Sequence, residues 1–367
     1  MKQKKSIPQP IQSRRNKIFA TLVTLPIILA VGGLLFVFEA SYVRSFSEFG
    51  DSFHYLKVQA MWIVLGIAVM FLLSLLDYHK LYYIAFYFML ASVLSLLLVL
   101  IPGIGSKVAG ARRWLFGFQP SEIAKLASII YLSSWFLTKE RKRFFSFILL
   151  LGLVMFLIIL QPDMGTAVII FAVCIVSYYL AGVELRYLLL LIPASFGGFF
   201  ILAKTAPYRL KRLTAFFDPS ADPLGVTYHI NQIQISLANG GLFGRGFGAS
   251  KQKHLYLPEA HTDSIFAIVG EEVGFIGGAL VVGAFVMLIL YIFRIAEKAP
   301  DRYGRLLAGS IFGFFAIQTI VNLGSMVHII PLAGVPLPFI SYGGSNLLLC
   351  FSLMGIVLNI ARQTRID

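Results

Sequence analysis

Apolar residues gather along this chain into long runs separated by short polar gaps. Ten runs reach or approach the roughly 20 residues that a helix needs to cross a bilayer. They cover 18–38, 58–76, 82–101, 123–137, 144–160, 166–182, 187–203, 263–293, 306–330 and 346–360. Isolated polar groups inside the runs predict a bundle with a shared interior, not uniform lipid contact. One polar stretch, 204–262, is far longer than the others. Within it residues 208–217 and 227–237 are amphipathic, and D-P-S-A-D-P-L-G between them is a turn signal. The pattern predicts an all-α polytopic membrane protein. It has a polar tail over 1–17, seven spans within 18–203, a large extracytoplasmic segment over 204–262, three more spans within 263–360 and a short tail over 361–367.

Composition agrees, and charge orients the bundle. Hydrophobic residues make up 58% of the chain and charged residues only 13%, which excludes an ordinary water-soluble domain. The formal net charge of +14 invites a nucleic-acid reading. The cations lie in the gaps between runs, where topology signals and phospholipid contacts put them, so that reading fails. The first 17 residues carry six Lys/Arg and no acid. With this tail in the cytoplasm, an even number of spans returns the C-terminus to the same side. The gaps on that side hold Lys80, Lys139, Arg141, Lys142, Arg143, Arg186, Arg294, Lys298, Arg302, Arg305, Arg362 and Arg365, as the positive-inside rule expects. The first run is too long for a signal-peptide core and lacks a small-residue cleavage site, so it reads as a retained anchor. Cys174 and Cys350 sit inside apolar runs and are expected to be free thiols.

Candidate chemistry concentrates at the outer ends of the spans. The stretch H-L-Y-L-P-E-A-H-T-D-S-I-F-A-I-V-G-E-E-V-G-F-I-G-G (254–278) passes from polar to apolar. Asp263 falls at the expected helix entry, where a helix cap and a catalytic carboxylate have equal claims. Glu271 and Glu272 lie roughly 12–14 Å further along the axis, deep enough to count as functional candidates. The segment 204–262 holds seven Lys/Arg and three Asp/Glu, a basic excess on the side where topology disfavours it. Tyr208, Leu210, Leu213 and Phe216 are placed to enter the interface while Arg209, Lys211 and Arg212 face a headgroup. The glycine string 240–248 lacks the context of a phosphate loop and reads as flexible backbone. In G-A-R-R-W-L-F-G-F-Q-P-S-E-I-A-K (110–125), Pro120 and Ser121 mark a helix start, and Glu122 and Lys125 share a face and are expected to pair. Asp163 in Q-P-D-M-G-T is a functional candidate at an outer turn that could equally be a simple helix cap. The prolines and glycines of P-L-P-F-I-S-Y-G-G-S-N (336–346) forbid a regular helix, so this loop should dip back against protein or water.

The segments Q-P-S-E-I-A-K, L-Y-L-P-E-A-H-T-D, F-A-I-V-G-E-E-V-G and P-L-P-F-I-S-Y-G-G-S resemble the SEDS family of peptidoglycan polymerases, with its rod-shape (RodA) and cell-division (FtsW) branches. The second and fourth lean towards the division branch. The resemblance extends from the first span onward. Two positions depart from it: Ser264 stands where a bulky residue is common, and Asn346 where serine is common. The resemblance implies an inverting glycosyltransferase that polymerises lipid II, with the essential aspartate at Asp263. A carboxylate there would take the proton of the acceptor 4-hydroxyl. Cations would stabilise the leaving pyrophosphate, with Arg112, Arg113, Lys125, Lys211 and Arg212 as candidates and a divalent cation (Mg or Mn) as an alternative. Glu122, His261 and Ser341, carried by the same motifs, complete the expected substrate-binding set. The implied partners are a class B penicillin-binding protein supplying the transpeptidase activity, other division or elongation proteins, and the membrane itself, with no nucleic acid. The implied site is the bacterial cytoplasmic membrane, at the division septum.

Two rival readings fit the sequence less well. A lipid II flippase would suit many spans and broken helices, but predicts midplane charges and an internal repeat, and no repeat is evident. A non-catalytic scaffold for the division machinery gives Asp263 nothing to do. The polymerase ranks first.

Overall fold

The computed structural model describes residues 9–108, 111–137, 144–182, 207–218, 225–254 and 256–364, with isolated positions between 187 and 198. Helices dominate. They are α1 (Gln9–Phe49), α2 (His54–Leu75), α3 (Lys80–Leu98), α4 (Pro120–Trp135), α5 (Phe144–Leu160), α6 (Met164–Leu180), α7 (Pro207–Phe217), α8 (Val226–Gly240), α9 (Ile265–Lys298), α10 (Arg302–Met326) and α11 (Gly344–Gln363). Among the described residues six helices, α1, α2, α3, α9, α10 and α11, are long and apolar enough to cross a membrane, and α5 and α6 are shorter apolar helices. The expected seventh span (187–203), the basic gap 139–143 and most of the D-P-S-A-D-P-L-G turn lie outside the described residues.

The helix starts follow the sequence signals. Gln119 and Pro120 open α4, Asp163 caps α6 by accepting from the Thr166 N–H, and Asp301 caps α10 by accepting from Gly304. One element was not anticipated. A short strand β1 (Ser106–Val108) pairs antiparallel with β2 (Ala111–Trp114), in a stretch too short for an alternating pattern to register.

The bundle packs around α10 and α11, whose apolar stretches are mostly enclosed, while α2, α3 and much of α9 present apolar faces outward. The loop between α10 and α11 returns into the bundle as expected: Leu337, Phe339, Ile340 and Ser341 are all buried.

The run 263–293 is not one continuous helix. α9 begins at Ile265 and breaks at Gly274, whose φ is 66°. The break leaves the carbonyls of Glu271 and Glu272 and the N–H groups of Phe275 and Ile276 without helical partners. The glycine string supplies them. Arg245 and Gly246 donate to the carbonyls of Glu271 and Glu272, while Phe275 and Ile276 donate to those of Gly241 and Leu242. So this string is not free backbone. It is laid against the broken helix, and side chains on Gly240 or Gly244 would collide with main-chain atoms of α9.

The carboxylates expected deep in the span belong to the same construction. Glu271 accepts from the Ser250 hydroxyl at 2.5 Å and from Ser236 at 3.3 Å. Lys253 bonds Glu39 at 2.6 Å and approaches Glu272 at 3.7 Å. Glu271 and Glu272 thus anchor the loop that leads to Asp263, and their polar partners explain how they tolerate burial.

Candidate active site

Asp263 lies in the turn just before α9, and three constraints fix that turn. Glu259 adopts the left-handed conformation, with φ 48°, so that its carbonyl accepts from both the Thr262 and Ser264 N–H groups at 3.2 Å. Asn322 of α10 donates from Nδ2 to the Asp263 carbonyl at 2.9 Å and to the Val335 carbonyl at 2.7 Å. Tyr342, in the re-entrant loop, donates its N–H to the His261 carbonyl at 2.9 Å. Thr262 does not cap α9, because its hydroxyl is spent on Glu259. Nor does Asp263: the residue before Ile265 is Ser264, and no side chain caps the helix. The cap explanation for Asp263 is thereby removed.

The Asp263 carboxylate faces Gly334. A Cβ there would lie 3.2 Å from Asp263 Oδ2 and 3.4 Å from Arg212 Nη1. Gly334 also holds φ 67°, so both conformation and space call for glycine. Beneath it, Gly165 at the start of α6 packs on the carbonyls of Ala333 and Gly334, which brings Asp163 and the α6 N-terminus to the same place. Asp163 caps α6 and also accepts from Gln119 Nε2 at 3.0 Å.

Two arginines border this recess, and backbone carbonyls hold both. Arg212 Nη1 donates to Leu332 at 3.2 Å. Arg113 Nε donates to Gln161 at 2.8 Å, and its Nη2 donates to Pro162. Among the described residues no carboxylate forms an ion pair with either guanidinium. Asp263 is half-buried, and no hydrogen bond from a described residue reaches its carboxylate. Burial pushes its pKa up to about 7; Glu259 and Asp163 raise it further, and Arg212 and Arg113 oppose the rise.

The sequence profile of the cell cycle protein family FtsW/RodA/SpoVE matches residues 19–366. The chain belongs to this family. It is 41% identical over 355 residues to stage V sporulation protein E of Bacillus subtilis, covering 94% of this chain and 97% of that one. It is 40% identical over 358 residues to the probable peptidoglycan glycosyltransferase FtsW of Coxiella burnetii, covering 94% and 96%. Among solved structures, a chain of a peptidoglycan synthase complex that coordinates polymerization and crosslinking superposes with a TM-score of 0.77 at 29% identity, over 93% of this chain and 97% of that one. The rod shape determining protein RodA of Thermus thermophilus gives 0.68 at 28% identity, over 94% and 97%.

Within this family fold, the residues singled out from sequence have different surroundings. Arg113 and Arg212 stand in the electrostatic reach of Asp263. Arg112, half-buried on β2, pairs with Lys107 of β1. Glu122 and Lys125 do pair, at 2.6 Å, but both are sealed in the bundle, with the ammonium over the Phe314 ring. Lys211 is exposed while Arg212 turns inward, because consecutive helical residues point about 100° apart. On α7 Ala215 is buried against protein while Leu210 is exposed and Leu213 and Phe216 are half-buried, which leaves Leu210 open to the membrane interface expected for it. The side chains of Tyr208 and Arg209 lie outside the described residues. His261 is buried between Tyr55 and Tyr342. Burial and Arg44 lower its pKa to about 4, with Glu259 and Glu48 opposing. The Ser341 hydroxyl, fully buried, accepts from the Leu337 N–H at 2.8 Å and closes the re-entrant turn.

Glu259, Asn322, His229 and Gln318, whose Nε2 donates to the Pro336 carbonyl at 2.9 Å and to Asn346 Oδ1 at 3.0 Å, were missed. Gln318 and Asn322 left a trace, being amides four residues apart in an apolar run and so on one helical face. Among the described residues no three His, Cys, Asp or Glu side chains cluster as metal ligands.

Proposed function

We propose that Asp263 is the general base with which this peptidoglycan glycosyltransferase extends a glycan strand from lipid II. The acceptor 4-hydroxyl gives its proton to the Asp263 carboxylate while its oxygen bonds to the anomeric carbon of the donor. The bond from that carbon to the phosphate oxygen breaks on the opposite face. The electron pair departs on undecaprenyl pyrophosphate, and the configuration inverts. Arg113 and Arg212 receive the leaving charge. Held by neutral carbonyls, their guanidinium charges are not cancelled and are fixed in advance, the arrangement that stabilises developing negative charge most effectively.

The observation that carries the reading is a half-buried carboxylate with a pKa of about 7, free of hydrogen bonds from described residues and flanked by two uncancelled arginines. A base poised near working pH is close to the optimum for proton transfer. A lipid-linked donor also accounts for a glycosyltransferase built in a membrane bundle: the prenyl tail stays in the bilayer while its headgroup enters the recess. The relatives named FtsW and the cell cycle family description favour the division branch and a septal location, and the basic N-terminal tail with the positive-inside pattern favours both termini in the cytoplasm. The synthase-complex relative favours a class B penicillin-binding protein as the cross-linking partner.

The test is polymerisation of lipid II by purified protein, with its transpeptidase partner, in membranes. Asp263→Asn keeps the side chain's size but cannot accept the proton, and should lower the rate about 10²–10⁴-fold. Near-normal turnover would remove the general-base role.

A further inference from the structure

His229, on α8, touches the turn that carries Asp263 at both ends. Its Nε2 lies 2.7 Å from the hydroxyl of Ser264, which is fully buried, and its ring also meets the Pro258 carbonyl. In the tautomer whose Nδ1–H turns to the Pro258 carbonyl, Nε2 accepts the Ser264 O–H. The imidazole therefore closes a staple across residues 258–264. That segment contains the strained Glu259 and Asp263 itself. A bulky apolar residue in place of Ser264 would leave Nε2 without this partner, so the departure noted at Ser264 and His229 form one unit.

We infer that His229 is a positioning residue, whose contacts with Ser264 and Pro258 tie the Asp263 turn to α8 and fix the direction of the Asp263 carboxylate. The inference rests on the general-base reading of Asp263. The groups around the ring are Arg212 from α7 and Glu259 from the turn, besides Ser264 and Pro258. Burial first, and then Arg212, lower the His229 pKa to about 4. The ring thus stays neutral through the working range and keeps its lone pair for Ser264. Around Asp263 itself stand Glu259, Asp163, Arg113 and Arg212. Loosening the turn would let water reach Asp263 and relax its raised pKa towards the ordinary carboxylate range.

The experiment measures lipid II polymerisation by the full chain with its partner, as a function of lipid II concentration and of pH between 5 and 9, alongside melting temperature. The proteins are wild type, His229→Ala, His229→Gln, Ser264→Ala, the His229→Ala/Ser264→Ala double variant and Asp263→Asn. His229→Ala and Ser264→Ala should each lower kcat about tenfold, within what small misplacement of a reacting group costs, with KM for lipid II changed less than twofold. The double variant should be no worse than His229→Ala, because both remove one interaction. The acid limb of the pH profile should move to lower pH in all three. Gln reaches the Nε2 position with an oxygen that accepts from Ser264, so His229→Gln should recover most of the rate. Wild-type kcat in His229→Ala overturns the inference. So does a loss with an unmoved acid limb, or one that adds to the Ser264→Ala loss, since either marks a general loss of folded protein. If His229→Ala does not fold, Ser264→Ala and His229→Gln carry the same comparison. Activity in Asp263→Asn would instead defeat the general-base reading, whatever the His229 variants do.

Discussion

Burial holds the Asp263 carboxyl at about 7 in the folded chain, whereas the unfolded chain releases that proton near the usual carboxylate pKa of about 4. Between these values the folded state binds more protons than the unfolded state. Stability therefore falls as pH rises through this window and levels off above it. Under the general-base proposal activity moves the other way, because only the ionised carboxylate accepts a proton. Polymerisation should rise across pH 6–8 with a midpoint near 7 in wild type. Asp263→Asn should melt a few degrees higher than wild type at pH 8 and at nearly the same temperature at pH 4.5, which thermal unfolding across pH in a fixed membrane mimetic would show. Equal melting temperatures at both pH values would mean that Asp263 is not held in the raised state. The neighbouring cations make a second residue-scale prediction. Arg212 faces Asp263 across Gly334 while Lys211 is exposed. Arg212→Ala should lower kcat/KM for lipid II by about 10- to 100-fold, on the scale of losing one charge-stabilising donor. Lys211→Ala should stay within twofold in membranes of fixed anionic content. Comparable losses in the two would restore the picture of a diffuse basic surface. Sequence alone treated this pair alike, because composition counts charges and does not say which way each points.

At the level of elements, what could be read from sequence was the helical texture and the boundaries set by capping chemistry. The Pro120 start of α4 and the Asp163 cap of α6 are local signals and survived folding. The break in α9 was hidden because Gly274 is one of several glycines in a run long enough to span as one helix, and nothing local says that the string 240–246 will meet it. That meeting is a contact between distant segments, made by backbone, and hydrophobic patterning carries no record of it. The recess is of the same kind. Asp263 was legible as a residue, but Arg113, Arg212, Gly334 and Asn322 join it from four separate segments. The backbone packing makes a specific demand on Gly240, the last residue of α8. Its Cβ would run into the Gly270 carbonyl, so Gly240→Ala must push α8 from α9. Overpacking of this sort costs about 1–3 kcal/mol. Lower melting temperature and lower polymerisation should appear together, since α8 also supports the Asp263 turn through His229. Gly152→Ala in α5 is the control: nothing lies within 4 Å of its Cβ, and alanine's better helix propensity makes the change neutral or slightly stabilising. Equal behaviour of the two variants would show that the α8–α9 contact is looser than described.

Across the whole molecule, several polar groups inside the apolar bundle are answered by another part of the chain. The turn between α2 and α3 is tied to α11 by Asn359, which accepts from the Tyr78 N–H and donates to the Ser74 carbonyl. The Glu122–Lys125 pair is the costliest instance: both side chains are at most 5% exposed, and they lie 2.6 Å apart. It sits on α4, which packs against α3, α6, α10 and α11, so an uncompensated charge there strains several helix contacts at once. Removing one partner of a buried pair typically costs about 3–5 kcal/mol, whereas replacing both with apolar residues of similar volume is often close to neutral. Glu122→Leu and Lys125→Met should therefore each lower the melting temperature sharply. The double variant should recover much of that loss, giving a strongly non-additive cycle. The same preparations decide whether Lys125 also serves the substrate. A sealed ammonium held by Glu122 cannot meet a pyrophosphate without leaving its partner, so the folded double variant should polymerise lipid II faster per molecule than either single variant. A double variant that folds as well as wild type and yet is inactive would show that Lys125 leaves its pair during turnover and takes part in the reaction. The bundle would then have to open at α4.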